Sequence, residues 1–250
     1  MLGLCFLILD TIECEEIWAD WISKHEENVT ITIHSKTKFV HKTDIFRKKA
    51  VCIPSIPTRW GDFSLVEATI GLFKESIKNK NVTHCILLSG ACIPLKSFST
   101  VYKTLHSNIN KSFVCEMDPV EDLRYKKANK RLEFLIINKR IECKKHHQWI
   151  IACKKHAELV ADKFELIKMI FNNTRFSDET WFLTILMVKS LQHEIIFRHT
   201  TYTDWSNAGC HPKLFETITN EELKTLIDNP TYLFGRKFTS SLQNYNNLLE

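Results

Sequence analysis

Apolar residues run unbroken through "LGLCFLIL" (2–9), the pattern of a strand buried on both faces. In "TIECEEIWADWISKH" (11–25) they fall at Ile12, Ile17, Trp18, Trp21 and Ile22, which is helical spacing. "NVTITIH" (28–34) alternates and is β-branched, so it predicts a second strand, and "AVCIP" (50–54) a short third. "DFSLVEATIGLFKESIKN" (62–79) predicts an amphipathic helix, "HCILLSG" (84–90) a buried strand, "SFSTVYKTLHSN" (97–108) a helix and "SFVCEM" (112–117) a strand. Strand and helix alternate. The expected fold is therefore α/β, a mostly parallel sheet with helices on both faces. Ligands of such sheets sit beyond the carboxyl ends of the strands, which directs attention to "IHSK" (33–36), "IPTRWGD" (56–62) and "LSGACIPL" (88–95).

The second half is less regular. A basic, polar stretch covers 121–147, and "QWIIACKKHAELVADKFELIKMIF" (148–171) reads as a strand turning into a helix. "EIIFRHTTYTDW" (194–205) and "TYLFGRKF" (231–238) are strand-like, and "NEELKTLID" (220–228) is helical. With no repeat, low-complexity tract or linker, the 250 residues read as one compact domain, 44% apolar and able to build a sizeable core. The pattern changes between a first half (1–117) and a second half (118–250).

Nine cysteines, several inside apolar stretches, read as buried thiols and favour a reducing compartment. No segment resembles a signal peptide or a membrane span, so a cytoplasmic location is expected. The net charge of +5 is spread out apart from "FRKK" (46–49), "RYKKANKR" (124–131) and "KRIECKKHH" (139–147). These runs read as solvated surface, and no nucleic-acid-binding motif accompanies them. The balance also suits a small anionic ligand.

Phosphate-cradling glycine loops and a G-x-S-x-G nucleophile turn are absent. "CKKHHQWIIACKKH" repeats C-x-x-H at Cys143, His146, Cys153 and His156, the right donors for zinc. The apolar "QWIIA" between the pairs reads as a strand that carries them to opposite ends, so no metal site is expected. "FSDETWFLTIL" (176–186) sets Asp178 and Glu179 ahead of an apolar run. Ser177 could cap a helix whose dipole the acids complement, or one carboxylate could be a catalytic base.

Four motifs, in order and at suitable spacing, resemble the core 2/I-branching β-1,6-N-acetylglucosaminyltransferase and peptide O-xylosyltransferase family. They are "WGDFSLVEA" with "LSGACIPL", then "QWIIACKKHAELV", "FSDETWFLTIL" and "TYTDWSNAGCHPKLFETITNEELKTLIDNPTYLFGRKF". The resemblance spans nearly the whole chain and is nearest to short members from giant viruses and protists. It implies an A-type glycosyltransferase with a Rossmann-like sheet, a nucleotide-sugar-binding half (1–117) and an acceptor and catalytic half (118–250). The reaction would be an inverting transfer from a UDP-sugar to a glycan or protein hydroxyl, without a cofactor or divalent metal. "MDPVED" (117–122) lacks the spacing of a metal-binding D-x-D.

The same resemblance assigns roles. Glu179 matches the general base and Asp178 its neighbour. Lys237 matches a lysine that contacts the diphosphate; Arg236 lies beside it, where strand alternation points it to the other face. Arg198 and Lys213 are further cations. Trp205 matches an aromatic bordering the acceptor sugar. His34, Trp60 and Gly61 fall where the family binds nucleotide; Ser89 and Gly90, ending the central strand at the expected cleft, are candidates for substrate binding. Many relatives have Asp at the place of His34. GlcNAc, xylose and glucose are all compatible donors. The alternative is a sugar-binding or scaffold protein on the same fold without activity.

Overall fold

The computed structural model describes residues 1–117, 126–135, 143–206, 211–239 and 242. Cys210 and the acids after Met117 lie outside them. The strand–helix alternation of the first half is present: β1 (Leu2–Ile8), α1 (Glu15–Ser23), β2 (Val29–Ser35), α2 (Asp44–Lys49), β3 (Ala50–Cys52), α3 (Phe63–Ser76), β4 (His84–Ser89), β5 (Ile93–Pro94), α4 (Phe98–His106) and β6 (Ser112–Val114). The second half adds α5 (Lys126–Leu135), β7 (Ile151–Cys153), α6 (Lys154–Asp162), α7 (Phe164–Phe171), α8 (Trp181–Val188), β8 (Ile195–Phe197), β9 (Thr201–Thr203), α9 (Asn220–Asp228) and β10 (Phe234–Arg236).

Seven strands form the main sheet in the order β3-β2-β1-β4-β7-β6-β8. All neighbours are parallel except β7, which runs against both β4 and β6. β1 is the centre of the parallel part, pairing Leu4 with Ile31 on one side and Ile86 on the other. That position explains its unbroken apolar run, since all seven of its residues are buried.

Each sheet face has its own core. On one, α3, α6, α7 and α8 cover Cys5, Leu7 and Leu87. On the other, α1 and α4 cover Leu4, Phe6 and Leu88, with Trp18 edge-on to Phe6 at 5.3 Å. Trp18 is fully buried, which stabilises the fold by about 2–3 kcal/mol, and its indole N–H donates to Cys92 O at 2.8 Å.

The basic stretch read as solvated surface, with no element assigned to it, is in part helical. α5 places Ala128 and Leu132, four residues apart, against the core while its lysines face out. The expected strand–helix at 148–171 divides at Lys163 into two helices. The strand expected over 194–205 is two short strands in different sheets. β8 edges the main sheet, whereas β9 joins β10 and β5 in a three-stranded sheet. That small sheet, tied by Phe238 N to Ala91 O at 2.9 Å, lies at the carboxyl end of β4.

Candidate active site

A cleft of about 180 Å³ opens where the small sheet meets the carboxyl end of the main one. Asp178 and Glu179 stand in its wall because two turns interlock. After α7, the hydroxyl of Thr174 donates to Phe171 O at 2.6 Å and that of Ser177 to Thr174 O at 3.1 Å, reversing the chain. Phe176 then takes a left-handed φ of 55° and its N–H donates to Gly61 O at 2.7 Å. Gly61 has a φ of 65°, and a Cβ there would lie 3.3 Å from the Phe176 ring. Glycine fits that conformation and that closeness.

The structure corrects the expected helix cap. Ser177–Glu179 is a separate 3₁₀ turn, α8 begins only at Trp181, and the Ser177 hydroxyl is used upstream. The two acids therefore do not occupy the first turn of α8.

Their environments differ. Asp178 is 8% exposed, and its Oδ1 is buried without a hydrogen-bond partner. Burial, and then the neighbouring charge of Glu179, push its carboxyl up to about 7. Glu179 is wetter, with its side chain 29% exposed and Oε2 3.8 Å from Lys145 Nζ. Its carbonyl accepts the His146 N–H at 2.7 Å, which fixes the backbone. A buried carboxyl beside a wetter one is an arrangement suited to divided acid and base roles.

Arg236 and Lys237 line the same cleft. This corrects the alternation argument: β10 ends at Arg236, so Lys237 lies beyond the strand and is not held to its period. The Arg236 guanidinium sits 4.4 Å from the Trp149 ring centre, and its Nε donates to Ser89 Oγ at 3.3 Å. Among the described residues, neither Arg236 nor Lys237 is ion-paired. Burial and the Arg236 charge lower the Lys237 pKa.

Two tryptophans border the opening. Trp60 is 64% exposed and edge-on to Phe176 at 5.2 Å; Trp205 is 49% exposed. Six of the expected site residues thus meet: Trp60, Asp178, Glu179, Trp205, Arg236 and Lys237.

The remaining four do not line this cleft. Gly61 and Ser89 support it from behind. Gly90 packs on α1's approach, where a Cβ would meet Thr11 O at 2.1 Å. His34 is fully buried and faces α3, its Nε2 accepting the Ile56 N–H at 3.1 Å. It borders a separate cavity of about 450 Å³ with Ile53, Gly71 and Phe164. Arg198 is engaged by Thr231 O at 2.7 Å, and Lys213 lies over Phe215. No group of three or more metal-ligating side chains occurs among the described residues. His156 instead joins Ser112 Oγ at 2.7 Å and Glu194 at 3.0 Å in a buried relay. Lys145, His147, Trp149 and Phe176 are cleft or near-cleft residues that the sequence reading missed. Trp149 was visible inside "QWIIA", but only as strand core.

Residues 4–227 match the family model described as Core-2/I-Branching enzyme. The chain belongs to that family. Its mostly parallel sheet with helices on both faces is the one expected of an A-type glycosyltransferase, and membership makes it a sugar-transferring enzyme. The chain is 23% identical to the protein "Glycosyltransferase BC10" of Oryza sativa subsp. japonica over 300 residues, covering 95% of the chain and 73% of the relative. Among solved structures, it is similar to the galactosyltransferase LgtC in complex with donor and acceptor sugar analogs, with a TM-score of 0.47 and 9% identity, over 94% of this chain and 86% of that one. It is also similar to mouse xyloside xylosyltransferase 1 in its apo form, with a TM-score of 0.41 and 8% identity, over 98% and 99% of the two chains. No helix among the described residues is long and apolar enough to cross a membrane.

Proposed function

We propose that this enzyme is an inverting, metal-independent glycosyltransferase that moves GlcNAc, xylose or glucose from a UDP-sugar to a hydroxyl of a glycan or protein. The observation that carries the reading is the meeting inside one cleft of two cations, neither ion-paired among the described residues, with two adjacent carboxylates, one buried and one partly exposed. Lys145 beside Glu179 favours the ionised form that a base needs. Glu179 removes the acceptor proton as that oxygen attacks the anomeric carbon. The bond from the anomeric carbon to the diphosphate breaks, and Arg236 and Lys237 stabilise the charge that develops there. Asp178, protonated below about pH 7, hydrogen-bonds the acceptor. Trp205 offers its indole to the apolar face of the acceptor sugar. The free thiols among the described residues fit a reducing, cytoplasmic setting.

The test is UDP release with UDP-GlcNAc, UDP-xylose or UDP-glucose and a panel of glycan acceptors, in excess EDTA. Acceptor-dependent release is expected. Loss in EDTA that manganese restores would overturn the metal-free mechanism. UDP-sugar binding without any release would assign the chain to sugar binding alone.

A further inference from the structure

The reaction so described leaves His147 without a role. It lies in the segment ahead of β7, is 6% exposed, and lines the cleft with Arg236 and Lys237. Its Nε2 meets Thr203 Oγ1 at 3.3 Å, while Nδ1 is buried with no hydrogen-bond partner. The Thr203 hydroxyl can donate to Thr201 O at 3.4 Å, which leaves it to accept from Nε2–H. Nδ1 then presents a bare, buried lone pair. Such an atom is costly unless a donor or a proton reaches it.

The surroundings explain why the free protein holds no proton there. His146 and Lys145 flank His147 on its own segment. The His199 ring, from the β8–β9 connection, lies 4.9 Å away, with Tyr232 behind it. Arg236 arrives from the end of β10 and Lys237 from just beyond it. The His147 N–H is held by Cys115 O at 2.8 Å, and Glu116, alongside, reaches Lys144 at 4.0 Å. Asp178 and Glu179 border the same cleft from the 3₁₀ turn, Glu179 already beside Lys145. Burial first, then the nearby His199 and Arg236, hold the imidazole well below its ordinary value. An anion in the cleft reverses the charge contribution.

We propose that His147 is a third cation of the donor site, supplied on demand: it takes a proton from solvent as the diphosphate of the UDP-sugar enters, and donates it through Nδ1 as a hydrogen bond to a phosphate oxygen. The proton returns to solvent when UDP leaves. This rests on the donor reading above. The sign follows from linkage. A group whose pKa rises on binding strengthens binding fully below its free pKa, and that gain is lost as pH rises through its bound pKa. Affinity should change by up to about tenfold per pH unit in that window.

The experiment is calorimetric titration with UDP-GlcNAc, UDP-xylose and UDP-glucose, without acceptor, from pH 6 to 8.5 in buffers of different ionisation heat. Their phosphates are doubly esterified and keep their charge across this range, so proton uptake belongs to the protein. Asp178 shares the cleft and can also take up a proton, so the comparison is repeated on the Asp178→Asn background, where the difference in uptake belongs to His147. Wild type should take up more protons than His147→Gln, and its affinity should fall more steeply with pH. Equal uptake in both, with binding retained, would overturn the role of His147 alone. No binding of any UDP-sugar to either protein would overturn the donor reading itself. Imidazole ¹⁵N NMR of wild type guards against misfolding of the variant: a His147 ring that stays neutral on saturation overturns the proposal without mutation.

Discussion

Asp178→Asn should stabilise the protein, and by an amount that depends on pH. The carboxyl is buried with Oδ1 unpartnered, and its pKa of about 7 stands well above the ordinary 3.8. Between those values the folded protein holds a proton that the unfolded chain has released. Stability is therefore lost as pH rises towards the folded pKa. At about 1.36 kcal/mol per pH unit, the loss reaches roughly 4 kcal/mol by pH 8 but only roughly 1.5–2 kcal/mol by pH 5. The amide has no such penalty. Burying its extra N–H donors has a cost, but one that does not vary with pH, so the difference between the two pH values is the quantity to measure. That difference, roughly 2.5 kcal/mol, corresponds to about 5–10 °C in Tm for a chain of this size. Thermal unfolding followed by circular dichroism at pH 5 and pH 8 provides the test. An equal effect at both, or a larger gain at pH 5, would refute the claim that Asp178 is a carboxylate kept against its own ionisation. A gain at pH 8 would mark a functional group retained at the expense of stability.

Glu179→Gln should lower transfer by about 10²–10⁴-fold while leaving UDP-sugar affinity and Tm nearly unchanged; if Asp178→Asn abolishes transfer and Glu179→Gln does not, the base is the other carboxylate. Lys237→Ala should weaken UDP binding roughly ten- to hundredfold, measured by calorimetry, and slow transfer together; unchanged affinity would place the diphosphate elsewhere. Ser112→Ala breaks the Ser112–His156–Glu194 relay and leaves His156 Nδ1 and the Cys153 N–H without their partner. It should cost about 1–3 kcal/mol in urea unfolding and leave kcat unaltered, whereas a large loss of kcat in the folded variant would assign the relay to the chemistry.

The first half of the fold was legible because its elements carry their own periodicity. β1 is apolar on both faces because both faces are covered, and α3 shows its stripe because one side alone meets the sheet. The small sheet was not legible in this way. Its strands are two or three residues long, too short for a period, and β9 is separated from β8 only by a few residues of "FRHTTYT". α5 was hidden by charge, since only Ala128 and Leu132 report its buried side. At the site, sequence motifs reached the acids, the cations and both tryptophans. They misjudged how the parts are held. Ser177 serves the turn before it instead of the helix after it, His34 turns towards α3, and Lys237 escapes strand alternation by lying past the strand end. Each depends on contacts with distant segments, such as Phe176 with Gly61, which no local pattern encodes.

The placement of β7 bears on how the chain is made. β4 and β6 are consecutive in the main sheet's own sequence, yet they never touch, because β7 lies between them and pairs with both. During synthesis the outer edge of β4 thus has no partner from Ser89 until Cys153 has emerged, some 60 residues later. At about 5–20 residues per second, that edge stays open for roughly 3–12 s on the ribosome. An unpaired strand with an apolar centre, Cys85–Leu88, is a template for pairing with another chain. A nascent chain stalled within this interval is the form of this protein most prone to aggregate, and the one on which chaperones should act.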